Sequence, residues 1–346
     1  MLIRDNSTPY TLERVEPAIQ VAINVVNSEI LNSSYRLVPV LRAYDNECNA
    51  RNGTGLGDSG IFVDKTVYPT LTRFAYCQCH ARQVISVIFR KFNWTEVILV
   101  VDTEHPQYQI LGNSLRDGLQ KENIHPHFLD LRLKDNIDKK IDYIRRHSRV
   151  VILVVSGDTL REFLLRCYEL GHISTGEYVF LEILPFPFPG DYWGNHDWRR
   201  GDSRDPDAKK AYEVLLRISL FEPTSENWTN FTELVIREAN KTYNFDFKGE
   251  QVNFYIGAFY DGVIRYGHLV KQALDLGIHY TDGYSLSRLC WNKTFTGGLP
   301  PRLQLRKPKL AQDRVQGNTY SDEIRCCMIR YQVLVLRRTA SSLGNT

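Results

Sequence analysis

Apolar residues recur along this chain with two different periods. Between residues 12 and 31, Val15, Ala18, Ile19, Ala22, Val26 and Ile30 follow one another at intervals of three and four, one stripe of an amphipathic helix. Pro17 reads as early enough in that helix to be tolerated in a first turn. Leu37, Val38, Val40 and Leu41 predict a strand over 36–44, and a polar, Gly-rich stretch without strand character fills 45–60. From residue 72 the pattern becomes regular. Helices over 81–92, 110–122, 137–146 and 159–170 alternate with strands over 96–101, 128–133, 150–155 and 178–184. Strands that are apolar on both faces, alternating with amphipathic helices, predict a parallel sheet covered on both sides, with right-handed crossovers.

Pro185, Pro187 and Pro189 then break the rhythm, because proline continues neither a helix nor a central strand. A polar loop with Trp193 and Trp198 runs over 190–206, followed by a short helix at 208–213 and a strand at 214–220. Helices are predicted over 227–243, 253–276 and 285–292. After Gly297 periodicity is lost, and Pro300, Pro301 and Pro308 among scattered charges read as a tail or linker.

Composition narrows the class. With 346 residues, 43% apolar and 24% charged, the chain is long enough for two domains that each bury a core. Disorder, collagen-like repeats and a membrane bundle are excluded. The net charge of +3 is uneven: residues 299–346 carry nine Lys/Arg against three acids, so the remainder is net negative. A nucleic-acid-binding fold concentrates basic charge on itself, and this one does not. No run of about 18 apolar residues is present to span a bilayer, and residues 1–10 lack the apolar core of a signal peptide.

Glycosylation sequons nevertheless point outward. Asn-x-Ser/Thr occurs at Asn6, Asn32, Asn52, Asn93, Asn227, Asn230, Asn240 and Asn292, where composition predicts about two by chance. A glycoprotein of the secretory pathway is expected. The cysteines are Cys48, Cys77, Cys79, Cys167, Cys290, Cys326 and Cys327, an odd count that leaves one thiol unpaired or joined to another chain.

Motifs with chemistry are scarce. Gly55-x-Gly57-x-x-Gly60 matches a dinucleotide fingerprint as a string. It follows a polar stretch and precedes a β-rich one, so no strand and helix present it to a pyrophosphate, and it reads as a loop. Cys77-x-Cys79-His80 lacks a second pair of zinc ligands at suitable spacing, with His125 and His127 flanking a proline elsewhere. Arg200-Gly201-Asp202 is an integrin-type tripeptide in a predicted loop. There is no G-x-S-x-G, Walker or H-E-x-x-H sequence. No catalytic residue, metal or cofactor is expected.

Several segments, in order, resemble the extracellular ligand-binding region of the natriuretic peptide receptors and related receptor guanylate cyclases, the ANF-receptor family. They are Asp5-Asn-Ser-Thr-Pro-Tyr10 with Leu12-Glu-Arg-Val-Glu-Pro-Ala-Ile19, Phe92-Asn-Trp-Thr95, Glu177-Tyr-Val-Phe180, Trp198-Arg-Arg-Gly-Asp202, Phe259-Tyr-Asp-Gly262 and Trp291-Asn-Lys-Thr-Phe-Thr-Gly297. The resemblance spans residues 2–297 and absorbs the Arg-Gly-Asp tripeptide into a family loop. It implies an α/β, bilobed fold of the type I periplasmic-binding-protein kind, with two Rossmann-like parallel-sheet lobes. Lobe one would combine 1–73 and 222–291, lobe two 74–221, with 292–346 a divergent basic tail.

The resemblance also implies a function. Such a region would bind a peptide hormone outside the cell, at the plasma membrane, between two copies of the receptor. A shift in their packing would carry the signal to cyclic GMP production by a cyclase domain absent from this chain. By position, the family's peptide-contacting loops fall on Gln107, Tyr108, Phe128, Asp130 and Leu131, with Asp130 expected to pair with a basic hormone residue. Alternatives of the same fold are a small-molecule (amino-acid) binding module and a ligand-clearance receptor without cyclase. A sugar- or nucleotide-modifying α/β enzyme is a third.

Departures from the family matter too. The disulfide partner that the resemblance implies for Cys48 is absent, as is a Gly-Pro-Gly-Cys stretch. Only about 27 residues separate the first strand from the crossing at Leu71–Arg73, so lobe one is expected to be incomplete. At roughly 25 cal/mol per Å² of apolar surface left uncovered, a few hundred Å² amounts to several kcal/mol, on the scale of a domain's whole stability. A splice variant or fragment that expresses weakly is the expectation.

Overall fold

The computed structural model describes residues 9, 11–31, 35–39, 66–67, 70, 79–132, 136–184, 188, 193–220, 225–290 and 331–335. The chain divides into two compact units. One is Met1–Cys77 with Glu222–Ile329, the other Gln78–Phe221 with Arg330–Thr346.

The second unit is the regular α/β body that the alternating pattern predicts. Helices α2 (Cys79–Phe92), α3 (Pro106–Gln120), α4 (Ile137–His147), α5 (Gly157–Glu169) and α6 (Asp205–Tyr212) alternate with strands β1 (Glu96–Val101), β2 (His125–Asp130), β3 (Val150–Val154), β4 (Val179–Ile183) and β5 (Leu215–Leu220). Strand order is β2-β1-β3-β4-β5, all parallel, and β6 (Tyr331–Val335) pairs antiparallel with β5. Residues 331–335, inside the stretch read as a basic tail, therefore form an edge strand.

The two-residue period of the strands sorts the core. Val97, Leu99 and Val101 of β1 and Ile152 and Val154 of β3 pack under Ile85, Phe89, Leu111 and Leu115 of α2 and α3. Ile98 and Val100, with Val151 and Leu153, pack on the other face under Ile141, Ile144, Leu160, Phe163 and Leu164 of α4 and α5. All five residues of β3 are buried, which is why its sequence is apolar throughout.

Boundaries moved where chemistry other than periodicity sets them. The helix expected at 110–122 starts at Pro106, because proline suits a first helical position whatever its polarity. The strand expected at 128–133 lies at 125–130, held in register with β1 from Glu96↔His125 to Val101↔Asp130. Its polar start, His125-Pro126-His127, hid it. The polar end of α2 is a left-handed cap. Asn93 has φ 54°, Trp94 N–H donates to the Phe89 carbonyl (2.9 Å) and Asn93 N–H to that of Arg90 (3.4 Å). The Trp94 ring meets Phe89 edge-on at 5.5 Å, the apolar contact that accompanies such caps.

In the first unit the described residues are helical: α1 (Leu12–Val25), a π-helical turn (Val26–Ile30), α7 (Glu226–Tyr243), α8 (Phe254–Asp275) and α9 (Gly283–Arg288). Val15, Ala18, Ala22 and Val26, four members of the stripe read in the sequence, are fully buried. α1 packs against α7 and α8. Pro17 is the sixth residue of α1, past the first turn where it was expected to be tolerated. It removes the hydrogen bond that Glu13's carbonyl would accept.

Among the described residues of this unit there is no strand. The strand expected at 36–44 does not form over 35–39, and 40–44 lie outside the described residues. Instead the side chain of Asn27 pairs with Leu37, donating from Nδ2 to its carbonyl (2.9 Å) and accepting at Oδ1 from its N–H (2.7 Å). An amide side chain thus stands where a neighbouring strand would. Arg14, buried on α1, is held by Glu250 through two bonds of 2.9–3.0 Å and lies 4.9 Å from the Phe245 ring.

Candidate functional site

Because β1 to β5 run parallel, their carboxyl ends share one edge of the sheet, the edge at which open α/β folds bind ligands. Four segments of the second unit meet there: 102–105 after β1, 131–132 after β2, Ser156 after β3 and the loop 193–204 after β4. Asp102 N–H bonds the Val154 carbonyl (3.0 Å) and Leu131 N–H that of Val101 (3.0 Å), so the loops leave the sheet in fixed positions.

The five ligand-contact residues expected from the sequence are distributed unevenly over this edge. Tyr108 is 4% exposed and Leu131 fully buried, so neither offers surface to a docking peptide; both are core side chains. Alternation along β2 explains the split: Phe128 packs on the α3 side, and Leu131 lies in the opposite core. Gln107 in the first turn of α3, Phe128 and Asp130 are partly exposed. The Arg116 guanidinium lies 5.6 Å from the Phe128 ring.

Asp130 already has partners. Its Oδ1 accepts from the Thr103 N–H (3.2 Å) and hydroxyl (2.9 Å), and its Oδ2 from Arg132 Nε (3.0 Å). Burial pushes its carboxyl up, and the bonds from Thr103 and Arg132 outweigh this and hold it below the usual range. Arg132 also reaches Glu104 at 2.7 Å, both well exposed. The charges this corner presents to solvent are therefore those of Glu104 and Arg132 as much as Asp130. Sequence reasoning passed over both, because they come together only when β1 and β2 pair.

Behind them lies an aromatic cluster. His105, Tyr108 and Trp193 have ring centroids 4.4–5.6 Å apart, and Tyr108 donates its hydroxyl to the Trp193 carbonyl (3.1 Å). Beside it Glu182, near the end of β4, is buried between a histidine and an arginine. Its Oε1 lies 2.5 Å from His196 Nδ1 and its Oε2 2.5 Å from Arg217 Nε. His196 Nε2 lies 2.9 Å from the Trp193 carbonyl. Arg217 donates to the His196 carbonyl (2.8 Å). Burial raises the Glu182 carboxyl, and His196 and Arg217 more than reverse this, leaving it lowered. The cluster ties the loop to β4 and β5. It holds no exposed nucleophile, and among the described residues no group of three or more His, Cys, Asp or Glu could hold a metal.

The Arg-Gly-Asp tripeptide is part of the same loop and works inward. Arg200 bonds Asp158 at 2.5 Å, and Asp202 accepts from buried Arg161 at 2.7 Å, which also reaches Asp205 at 3.1 Å. An integrin ligand presents both charges to its partner; here both are bound to α5. The glycine string at 55–60, Cys77 and the side chains of Cys79 and His80 lie outside the described residues, as do Asn6, Asn32, Asn52 and Asn292. Asn93, Asn227, Asn230 and Asn240 are exposed.

Residues 53–299 match the family model of the receptor family ligand binding region. The chain belongs to that family. It is similar to atrial natriuretic peptide receptor 3 of Mus musculus, 26% identical over 267 residues, which is 76% of this chain and 49% of the relative. It is also similar to the receptor-type guanylate cyclase gcy-28 of Caenorhabditis elegans, 32% identical over 164 residues, 44% of this chain and 12% of that one. The chain spans about half the length of the natriuretic peptide receptor 3 relatives it matches. Among solved structures, an ABC transporter substrate-binding protein from Desulfitobacterium hafniense in complex with Leu aligns at a TM-score of 0.45 and 13% identity, over 82% of this chain and 86% of that one. No helix among the described residues is long and apolar enough to cross a membrane.

Proposed function

We propose that this receptor ligand-binding region binds a peptide of the natriuretic type on the outside of the cell, and that it acts by recognition rather than by chemistry of its own. The observation that carries this reading is the match of residues 53–299 to the receptor family's ligand binding region. Lobe one is 1–73 with 222–291, lobe two 74–221, and a basic stretch, 292–346, follows, of which residues 331–335 add an edge strand to lobe two. Two copies grip one peptide, and a change in their packing is the signal. Any cyclic GMP synthesis belongs to another part of a larger receptor.

The carboxyl edge of the second unit supports the reading with a surface suited to a peptide. Phe128 offers partly exposed aromatic area, the kind of anchor that dominates binding energy. Gln107 adds an amide, and Asp130, Arg132 and Glu104 add alternating charge that would steer a charged peptide and set its register. Tyr108 and Leu131 support this surface from below.

The test is titration of atrial natriuretic peptide into the dimeric full chain and its variants. Phe128→Ala is expected to weaken binding about fivefold or more, since losing an anchor costs above about 1 kcal/mol. Arg132→Ala is expected to make the association less dependent on salt. Unchanged affinity in both variants rejects this edge as the contact. A wild-type chain that does not bind the peptide rejects the reading itself.

A further inference from the structure

The cap that ends α2 also carries a sequon. Asn93-Trp94-Thr95 follows Phe92, so an aromatic residue ends the helix, the acceptor Asn is the capping residue and the hydroxyl residue follows two positions on. Asn93 occupies the left-handed position, φ 54°, and both it and Thr95 are exposed. Phe92 is 56% exposed, although it is a large apolar side chain. Its ring stacks on Trp94 at 4.8 Å and 19°, and Trp94 in turn abuts buried Phe89. One face of the Phe92 ring is therefore braced by Trp94, and the acceptor Asn93 is its immediate chain neighbour.

From this geometry we infer that Asn93 is an N-glycosylation site whose first N-acetylglucosamine lies on the open face of Phe92. The inference rests on the extracellular reading above. Attachment is a substitution in which the Nδ2–C1 bond to the sugar forms. The C1–O bond to a lipid-linked pyrophosphate breaks and the pyrophosphate leaves with the electron pair. One amide proton passes to a base of the transferase. The apolar face of the sugar then covers aromatic surface that water otherwise contacts. A rigid helix cap holds the platform ready, so little is lost in ordering it. The other described sequons, at Asn227, Asn230 and Asn240, lie on α7, where the aromatic pair Trp228 and Phe231 is tilted at 47° and Phe231 is buried, so no braced open ring is offered. Among the described sequons, Asn93 is the one whose sugar is bound as well as attached.

The full chain, secreted from animal cells behind an added leader, is mapped for glycan occupancy by mass spectrometry and melted. Thr95→Ala removes the sequon without touching the cap. It is expected to lower the melting temperature by about 2–4 °C, the shift of a contact of modest strength in a unit of this size. In a Phe92→Ala background, and in unglycosylated chain from bacteria, Thr95→Ala is expected to change nothing; Phe92→Tyr restores the shift. Equal shifts in both backgrounds overturn the platform. Asn93 empty while the α7 sequons are occupied overturns the site alone. If all sequons are empty in chain that is secreted and folded, the extracellular reading fails with it.

Discussion

Glu182→Gln tests whether a buried carboxylate anchors the loop at the carboxyl edge of the sheet. The substitution keeps the shape and removes the charge. Glu182 is 2% exposed, and its two oxygens meet His196 on the loop and Arg217 on β5, each at 2.5 Å. A hydrogen bond to a charged group contributes about 1.5–3 kcal/mol, and two are weakened here. Arg217 is 29% exposed and regains part of its hydration, so the loss should fall near the lower end for a broken buried pair, about 3 kcal/mol. In a unit of this size that corresponds to about 6–12 °C in melting temperature.

The pH dependence gives a sharper check. Glu182 is lowered from its ordinary value of 4.5 in the folded chain. Its contribution is therefore complete above pH 4.5 and is lost as pH falls through the folded value. The gap between wild type and Glu182→Gln, measured by urea unfolding, should be constant near neutrality and close progressively below pH 4.5. A gap that persists undiminished at pH 2–3, or a variant as stable as wild type at pH 7, refutes the assignment of an ionised anchor.

Two further outcomes follow from packing. Gly267 of α8 faces the π-helical turn so closely that an added Cβ would stand 2.6 Å from Val26 Cγ1; Gly267→Ala should destabilise the first unit by about 1–3 kcal/mol, and Val26→Ala in the same chain should recover part of it, both read by chemical denaturation. Cys167 is buried on α5 and burial alone pushes its thiol up, so it should resist iodoacetamide in the folded chain at pH 8 and react once urea unfolds it; labelling at the rate of a free thiol would contradict its place in the core.

Much of the second unit was legible because its signals are local. Val97 to Val101 and Val150 to Val154 are apolar on both faces, and only a covered parallel strand uses such a run. Ser156 caps α5 by accepting from Thr159 N–H, and Asn136 caps α4 through Lys139 N–H, signals within three residues of one another. β2 was misplaced because its first three residues are polar and its position is decided by hydrogen bonds to β1, a partner about 30 residues away. The strand expected at 36–44 failed over 35–39 for the mirror reason: an apolar run needs a neighbour, and Asn27 supplies the pairing instead.

Alone, the sequence determined what short-range physics determines: the alternation of helix and strand, the caps, the stripe of α1 and the family of the chain. Tertiary structure decided which of these side chains reach the surface. Tyr108 and Leu131 look as available as Phe128 in the string, and are withdrawn because helix rotation and strand alternation turn them into opposite cores. Glu182 looks like any strand carboxylate until His196 and Arg217, 14 and 35 residues away, converge on it. Burial and charge pairing depend on distances through space, and those exist only once the sheet has closed.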